Sequence, residues 1–308
     1  MKALVIGGNG FIGSHLVDRL LACNWDVAVL DLSERRFDPM PDGAHFIRGD
    51  LNQRYLVREA LAGVDVVYHL AWTLIHELSN QDPAEDIRAN LIPTVHLLEA
   101  CVQARAGRVV FVSSGGTVYG RTHEAPTAES HATDPLSSYG VTKLAAEKYL
   151  HMFHHLHGLE YAVLRPSTPY GPRQNPLGRQ GAATIFLYKV ASGLPVTIWG
   201  DGSVTRDYFY ISDLIAAFMA AGTRPLAAER VFNIGGREEV SLTALLALVE
   251  ETVGRKAQVE YRPARAFDAQ RVALDTRLAE EAFGWRPEVE LPEGLARTWA
   301  WLAEAVLA

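Results

Sequence analysis

The chain has 308 residues, 48% apolar and 21% charged, a size and balance that suit one large or two smaller globular domains and exclude disordered, fibrous and low-complexity classes. A formal charge of -7 excludes the basic surface that nucleic-acid backbones require, while leaving room for local anion sites. No stretch reaches the roughly eighteen apolar residues of a membrane span, no secretory leader is visible, and Cys23 and Cys101 are the only cysteines; a reduced, cytoplasmic protein is expected.

Short β-branched runs alternate with longer amphipathic ones. Strands are expected at 3–6, 27–30, 45–47, 64–70, 109–112 and 161–164, and helices at 14–22, 55–61, 83–104 and 139–156. Such alternation gives parallel strands with helices on both faces. The first strand runs into Gly7-Gly8-Asn9-Gly10-Phe11-Ile12-Gly13. That run fits G-x-G-x-x-G through Gly8, Gly10 and Gly13, and a G-x-x-G-x-x-G spacing through Gly7, Gly10 and Gly13. Glycines there permit a tight turn and let backbone N–H groups approach a pyrophosphate at the helix N-terminus. Asp31 ends the second strand, where a carboxylate accepts ribose hydroxyls and repels the extra phosphate of NADP, so NAD is the expected cofactor. Arg35 and Arg36 read as solvated loop charges, although an arginine nearby can accommodate a 2′-phosphate. Asp50, after the third strand, equally suits a cap on the next helix.

Tyr139 and Lys143 open the helix at 139–156 and share one of its faces. A phenol titrates near 10; an adjacent ammonium and the nicotinamide cation would together bring it toward neutrality and make it a general base. After Pro166, the residues Pro169, Gly171, Pro172, Pro176 and Gly178 break regularity, and a second domain is expected from 168 to 308. Val231 to Ile234 reads as one more strand, so a segment near 207–235 is expected to return to the first domain, residues 1–167. Trp299 and Trp301 read as packing residues of a final helix. His151 and His155 are four apart but lack a further ligand at metal-site spacing, and no metal is expected.

Beyond the glycine loop, Asp31 and the Tyr139–Lys143 pair stand Asp50-Leu51, His69-Leu70-Ala71, Asn90, the run Ser113-Ser114-Gly115-Gly116-Thr117-Val118-Tyr119-Gly120, Leu164-Arg165-Pro166, Tyr170-Gly171-Pro172-Arg173-Gln174, Thr205-Arg206-Asp207-Tyr208 and Gly284-Trp285-Arg286-Pro287. Together these resemble the extended short-chain dehydrogenase/reductase superfamily, in particular its nucleotide-sugar epimerases and dehydratases, over nearly the whole chain. The resemblance implies an α/β fold: a Rossmann-type doubly wound parallel sheet with a smaller α/β substrate domain interleaved with it. It implies NAD held by Gly7, Gly8, Gly10, Phe11, Ile12, Gly13, Asp31, Asp50, Leu51, Leu70, Ala71, Asn90, Ser113, Tyr139, Lys143 and Pro166. Tyr139 would take the proton of a sugar 4-hydroxyl while the C4 hydride passes to NAD, with Lys143 holding the ribose and lowering the tyrosine pKa. The expected activity is 4-epimerisation, with UDP-glucose and UDP-galactose first and UDP-glucuronate 4-epimerisation or another nucleotide-sugar epimerase/dehydratase reaction as the alternative; a cofactor-binding protein without chemistry is the rival class.

One departure stands out. The family usually has Ser or Thr where this chain has Gly115, and Thr117, or else Ser114, is expected to take that hydroxyl's place. Gly116 and Thr117 stand where dehydratases carry an acid pair, which disfavours dehydration. For the substrate, a nucleotide-diphosphate sugar, the resemblance implies Arg206 and Arg265 as a diphosphate clamp, Asp268 at the nucleotide ribose, and Thr168 and Asn175 lining the sugar pocket. The amide of Asn175, where uronate enzymes would place an arginine, points to a neutral hexose. The long helices at 83–104 and 139–156 resemble a homodimer-forming pair.

Overall fold

Six β-branched runs become the strands β1 (Lys2–Ile6), β2 (Asp26–Asp31), β3 (Ala44–Arg48), β4 (Val66–His69), β5 (Arg108–Val112) and β6 (Glu160–Pro166) of one parallel sheet. This computed structural model describes residues 1–73, 76–122, 126–265 and 269–307. A seventh strand, Val231–Ile234, pairs in parallel with β6, giving the order Val231–Ile234, β6, β5, β4, β1, β2, β3. The chain moves outward from β1 to β3 and then crosses to β4 on the other side of β1. The crevice at the carboxyl ends of β1 and β4 is therefore a topological switch point, where such sheets bind ligands.

Both faces of the sheet are covered, which is why its strands are apolar throughout. Val5 packs in one layer with Leu16, Val17, Leu20 and Phe218; Leu4 and Ile6 pack in the other with Leu97, Leu98, Ala146 and Leu150. The first helix runs Phe11–Ala22. The helix that carries Tyr139 and Lys143 runs Ser138–His157, capped by the Ser137 hydroxyl, which accepts from Gly140 N at 3.2 Å.

One expected helix differs. The segment 83–104 is an α-turn Pro83–Asp86, a π-turn Ile87–Leu91 and an α-helix Ile92–Ala104. Pro93 has no N–H to continue the ladder, and the Thr94 hydroxyl bonds Asn90 O at 2.7 Å in the widened turn. No helix among the described residues is long and apolar enough to cross a membrane.

Past β6 the strands are short. Thr168–Tyr170 pairs with Tyr208–Tyr210, Val196–Trp199 with Val259–Arg262, and Thr205–Arg206 lies between Val240–Ser241 and Arg271–Val272. Helices Ala182–Ser192, Leu242–Val253 and Leu291–Ala305 pack around them, with Trp299 and Trp301 of the last against the core. Cys23 is exposed and Cys101 buried, both free.

A buried polar chain ties the helix Ser138–His157 to the sheet. Glu147 receives Arg165 Nη2 at 2.5 Å and Arg165 Nε at 3.0 Å, and Arg165 Nη1 donates to the Tyr119 hydroxyl, which donates to Asn233 at 2.7 Å. The two charged side chains are only 5% and 3% exposed. Removing one partner leaves the other charge uncompensated, so Glu147→Ala should lower unfolding free energy by about 3–5 kcal/mol, read as a reduced urea midpoint.

Candidate functional site

At the switch point the glycine loop turns from β1 into the first helix. Gly7 has φ +81, and a Cβ there would lie 2.7 Å from Ala71 N; a Cβ on Gly13 would lie 2.2 Å from Gly7 O. Those glycines are required by the chain itself. Gly10 is different, since a Cβ there would meet only Gly7 O, at 3.4 Å. Its bare Cα borders a cavity of about 200 Å³ shared with Asn9, Phe11 and Arg36. The helix that follows has no acidic residue in its first turn and no side-chain cap, so its N–H groups and dipole are available to an anion. Those features fit the diphosphate of a dinucleotide.

Asp31 ends β2 with one oxygen accepting Asn9 N at 2.9 Å, which fixes its carboxylate beside the loop. Arg35 donates to Asp18 at 2.8 Å and to Ser14 O at 3.0 Å with its side chain 3% exposed; it is committed there and not placed to receive a 2′-phosphate. Leu70 lines the main cleft with Phe11, Ile12, Ser113 and Pro166, and Ala71 abuts Gly7. Three further expected cofactor residues also make contacts within the chain. Asp50 accepts Asn52 N at 2.8 Å and so shapes the turn before the next helix, Leu51 packs on the core, and Asn90 accepts Thr73 N at 2.9 Å, pinning the loop after β4.

The main cleft, of about 770 Å³, brings Tyr139, Lys143, Ser114 and Thr117 together. Lys143 is buried and its Nζ donates to Val112 O at 2.8 Å, 3.8 Å from the Trp72 ring centroid and 5.7 Å from that of Tyr139. Burial draws its pKa well below the usual lysine range, opposed by Asp86 and Glu147. Burial also pushes the Tyr139 phenol up to about 12, against a hydrogen bond with Ser114. The expected fall toward neutrality is thus not supplied by the chain alone; desolvation outweighs it, and added positive charge is needed to reverse it.

The two candidate hydroxyls differ in their partners. Ser114 bonds the phenol, whereas Thr117 Oγ1 lies 3.5 Å from Ser114 O, turned to backbone. Gly115 is glycine for a packing reason: a Cβ would stand 2.3 Å from Leu274 Cδ1 and 3.0 Å from Arg165 O. Beside them His69 is held neutral by burial, its pKa down to about 3, with Nε2 on the Thr94 hydroxyl at 2.9 Å.

At the other end the cleft is lined by Thr168, Arg179, Lys189, Arg206, Arg262 and Arg265. Arg206 Nη1 donates to Thr205 O at 2.7 Å, and the Arg265 guanidinium lies 4.9 Å from the Trp199 ring centroid. No acidic residue lines the cleft among the described residues, a concentration of positive charge inside an acidic chain. Asn175 is not brought to this cleft; it lines the smaller cavity by the glycine loop, its Oδ1 taken by Leu177 N at 3.1 Å. Asp268 lies outside the described residues. Trp72, Trp199 and Arg262 were missed in the sequence because lone aromatics and cations carry no spacing signal.

The model of the NAD dependent epimerase/dehydratase family matches residues 3–235. A UDP-glucose 4-epimerase of Mycolicibacterium smegmatis is 38% identical over 305 residues, 97% of each chain. A Thermotoga maritima UDP-glucose 4-epimerase solved with UDP-glucose superposes with a TM-score of 0.94 at 35% identity, covering 99% of each chain. A Thermus thermophilus UDP-glucose 4-epimerase solved with NAD gives 0.93 at 36% identity, covering 99% of this chain and all of that one.

Proposed function

Because this chain belongs to the NAD-dependent epimerase/dehydratase family, we propose that it is a nucleotide-sugar 4-epimerase that interconverts UDP-glucose and UDP-galactose through a transient 4-keto sugar, with NAD as its resident cofactor. The observation that carries this reading is the Tyr139 phenol, bonded to Ser114, in a cleft with no carboxylate lining among the described residues. Such a site can remove and return one proton at an alcohol but offers no acid pair to expel water, which favours epimerisation over dehydration.

The glycine loop and Asp31 would hold the cofactor's diphosphate and ribose, and Lys143 its second ribose. NAD, when bound, would supply reversible oxidation at the sugar C4. Tyr139 accepts the 4-hydroxyl proton and later restores it. Ser114 donates to the Tyr139 oxygen as its negative charge develops, and the positive charge that bound NAD brings would favour the phenolate. Arg206 and Arg265 clamp the diphosphate with charge-assisted bonds, leaving the sugar free to turn. Trp199, stacked by Arg265, offers a flat face for the nucleotide base.

Ser114→Ala should cut kcat about ten- to a hundredfold, the worth of a hydrogen bond to a charged oxygen, and Thr117→Ala by less than about threefold. Steady-state rates of the two variants measure the assignment; the reverse order would transfer the role to Thr117.

UDP-glucuronate is the second reading, favoured by Arg179 on the cleft wall, which suits a carboxylate at the sugar's C6. Incubating the protein with UDP-glucose or UDP-glucuronate and resolving products by chromatography tests both. The C4 epimer of UDP-glucose supports the first reading, and conversion of the uronate alone replaces it with the second. Val141, Met152 and Leu156 on the catalytic helix, with Ile87 and Ile92 beside it, expose apolar surface of the kind a homodimer would bury; light scattering would give the expected mass of two chains.

A further inference from the structure

We propose that Arg173 is a latch that retains the cofactor, fastening the loop after strand Thr168–Tyr170 to both segments that carry the dinucleotide; the inference rests on NAD as the resident cofactor. Arg173 Nη1 donates to Asp18 Oδ2 at 2.6 Å and its Nε pairs with Asp38. Asp18 lies two turns into the helix whose first turn faces the diphosphate, and its other oxygen takes Arg35 Nη2 at 2.8 Å. His15, on the same helix, bonds Pro172 O through Nε2 at 2.9 Å. Asp38 and Arg35 belong to the segment after Asp31, the ribose carboxylate.

Asp38, Arg173, Asp18 and Arg35 alternate in sign, so each guanidinium has a carboxylate, and the chain is closed by Arg35 on Ser14 O at 3.0 Å. Arg173 itself sits in the left-handed region, φ 66, a conformation that a non-glycine residue keeps only where its surroundings hold it. The pairs cross 155 and 135 residues of sequence and wall the cavity of about 200 Å³ against Asn9, Gly10 and Phe11. A dinucleotide lying along the glycine loop toward Asp31 runs behind this wall. Its departure requires the loop to part from the helix, and charge-assisted bonds resist that parting. An epimerase that regenerates its cofactor in place gains from slow release. Arg173 acts here through the loop, as a positioning residue.

The test uses the NAD-loaded protein and the variants Arg173→Ala and Asp38→Asn, the second keeping the Asp18 pair in case the first folds poorly. Release of radiolabelled NAD into excess unlabelled NAD is timed, and UDP affinity is measured by calorimetry. Release is expected to be about tenfold faster in Arg173→Ala and by a smaller factor in Asp38→Asn, with UDP affinity within about twofold of the parent. Unchanged release in both variants overturns the latch, and so does an equal weakening of NAD and UDP, which marks general loosening.

Discussion

Tyr139→Phe should lower turnover by about a thousandfold, within the range of roughly 10² to 10⁴ that a positioned general base supplies, while binding of NAD and UDP-sugar stays close to that of the parent. The phenol is buried and raised to about 12, so phenylalanine fills the same space and removes only the proton carrier and its bond to Ser114. The sign of the pH dependence follows. Below the phenol's pKa the active phenolate fraction grows as pH rises, so the parent's rate should climb from pH 6 through 8. NAD binding adds a positive charge and should move the Tyr139 titration, read as the ultraviolet difference between parent and Tyr139→Phe, to lower pH. A variant that retains more than about a tenth of parental turnover would remove Tyr139 from the base role.

Gly13→Ala is expected to abolish measurable NAD retention. Its Cβ would stand 2.2 Å from Gly7 O and 2.6 Å from Gly8 Cα, backbone that cannot yield without dismantling the turn, so thermal stability should fall as well. Gly10→Ala is the informative contrast. Its Cβ clears the protein at 3.4 Å, so the melting temperature without cofactor should hardly move, while NAD affinity drops by about tenfold or more as the methyl meets the diphosphate. Calorimetric titration with NAD and melting curves on both variants separate the two effects. Equal NAD affinity in Gly10→Ala and parent would place the cofactor elsewhere.

The sheet was legible because strands covered on both faces must be apolar, and each expected strand from 3–6 to 161–164 lies in an observed one, except 64–70, which narrows to Val66–His69. The segment 83–104 was less legible: its apolar period is helical throughout, and the interruption comes from one missing N–H at Pro93, which changes the ladder and not the pattern. At the site, glycine spacing and the Tyr139–Lys143 interval survive in sequence because both depend on local geometry. The choice between Ser114 and Thr117 does not, since it turns on which hydroxyl a short helix at Gly115–Val118 aims at a phenol from another element. Asn175 was misplaced for a similar reason, its direction being set by the turn at Leu177. Arg173 read as part of a family signature. Its carboxylates come from residues 18 and 38, a pairing across the fold that no local spacing encodes.

Transient oxidation breaks and remakes the bond to hydrogen at the sugar C4 within one bound complex. It is tested most directly with UDP-glucose carrying deuterium at C4, incubated with the NAD-loaded protein in ordinary water, and with mass and NMR analysis of the epimer. Transient oxidation predicts UDP-galactose that retains the deuterium at C4. Epimer formed with the label lost to solvent would contradict it.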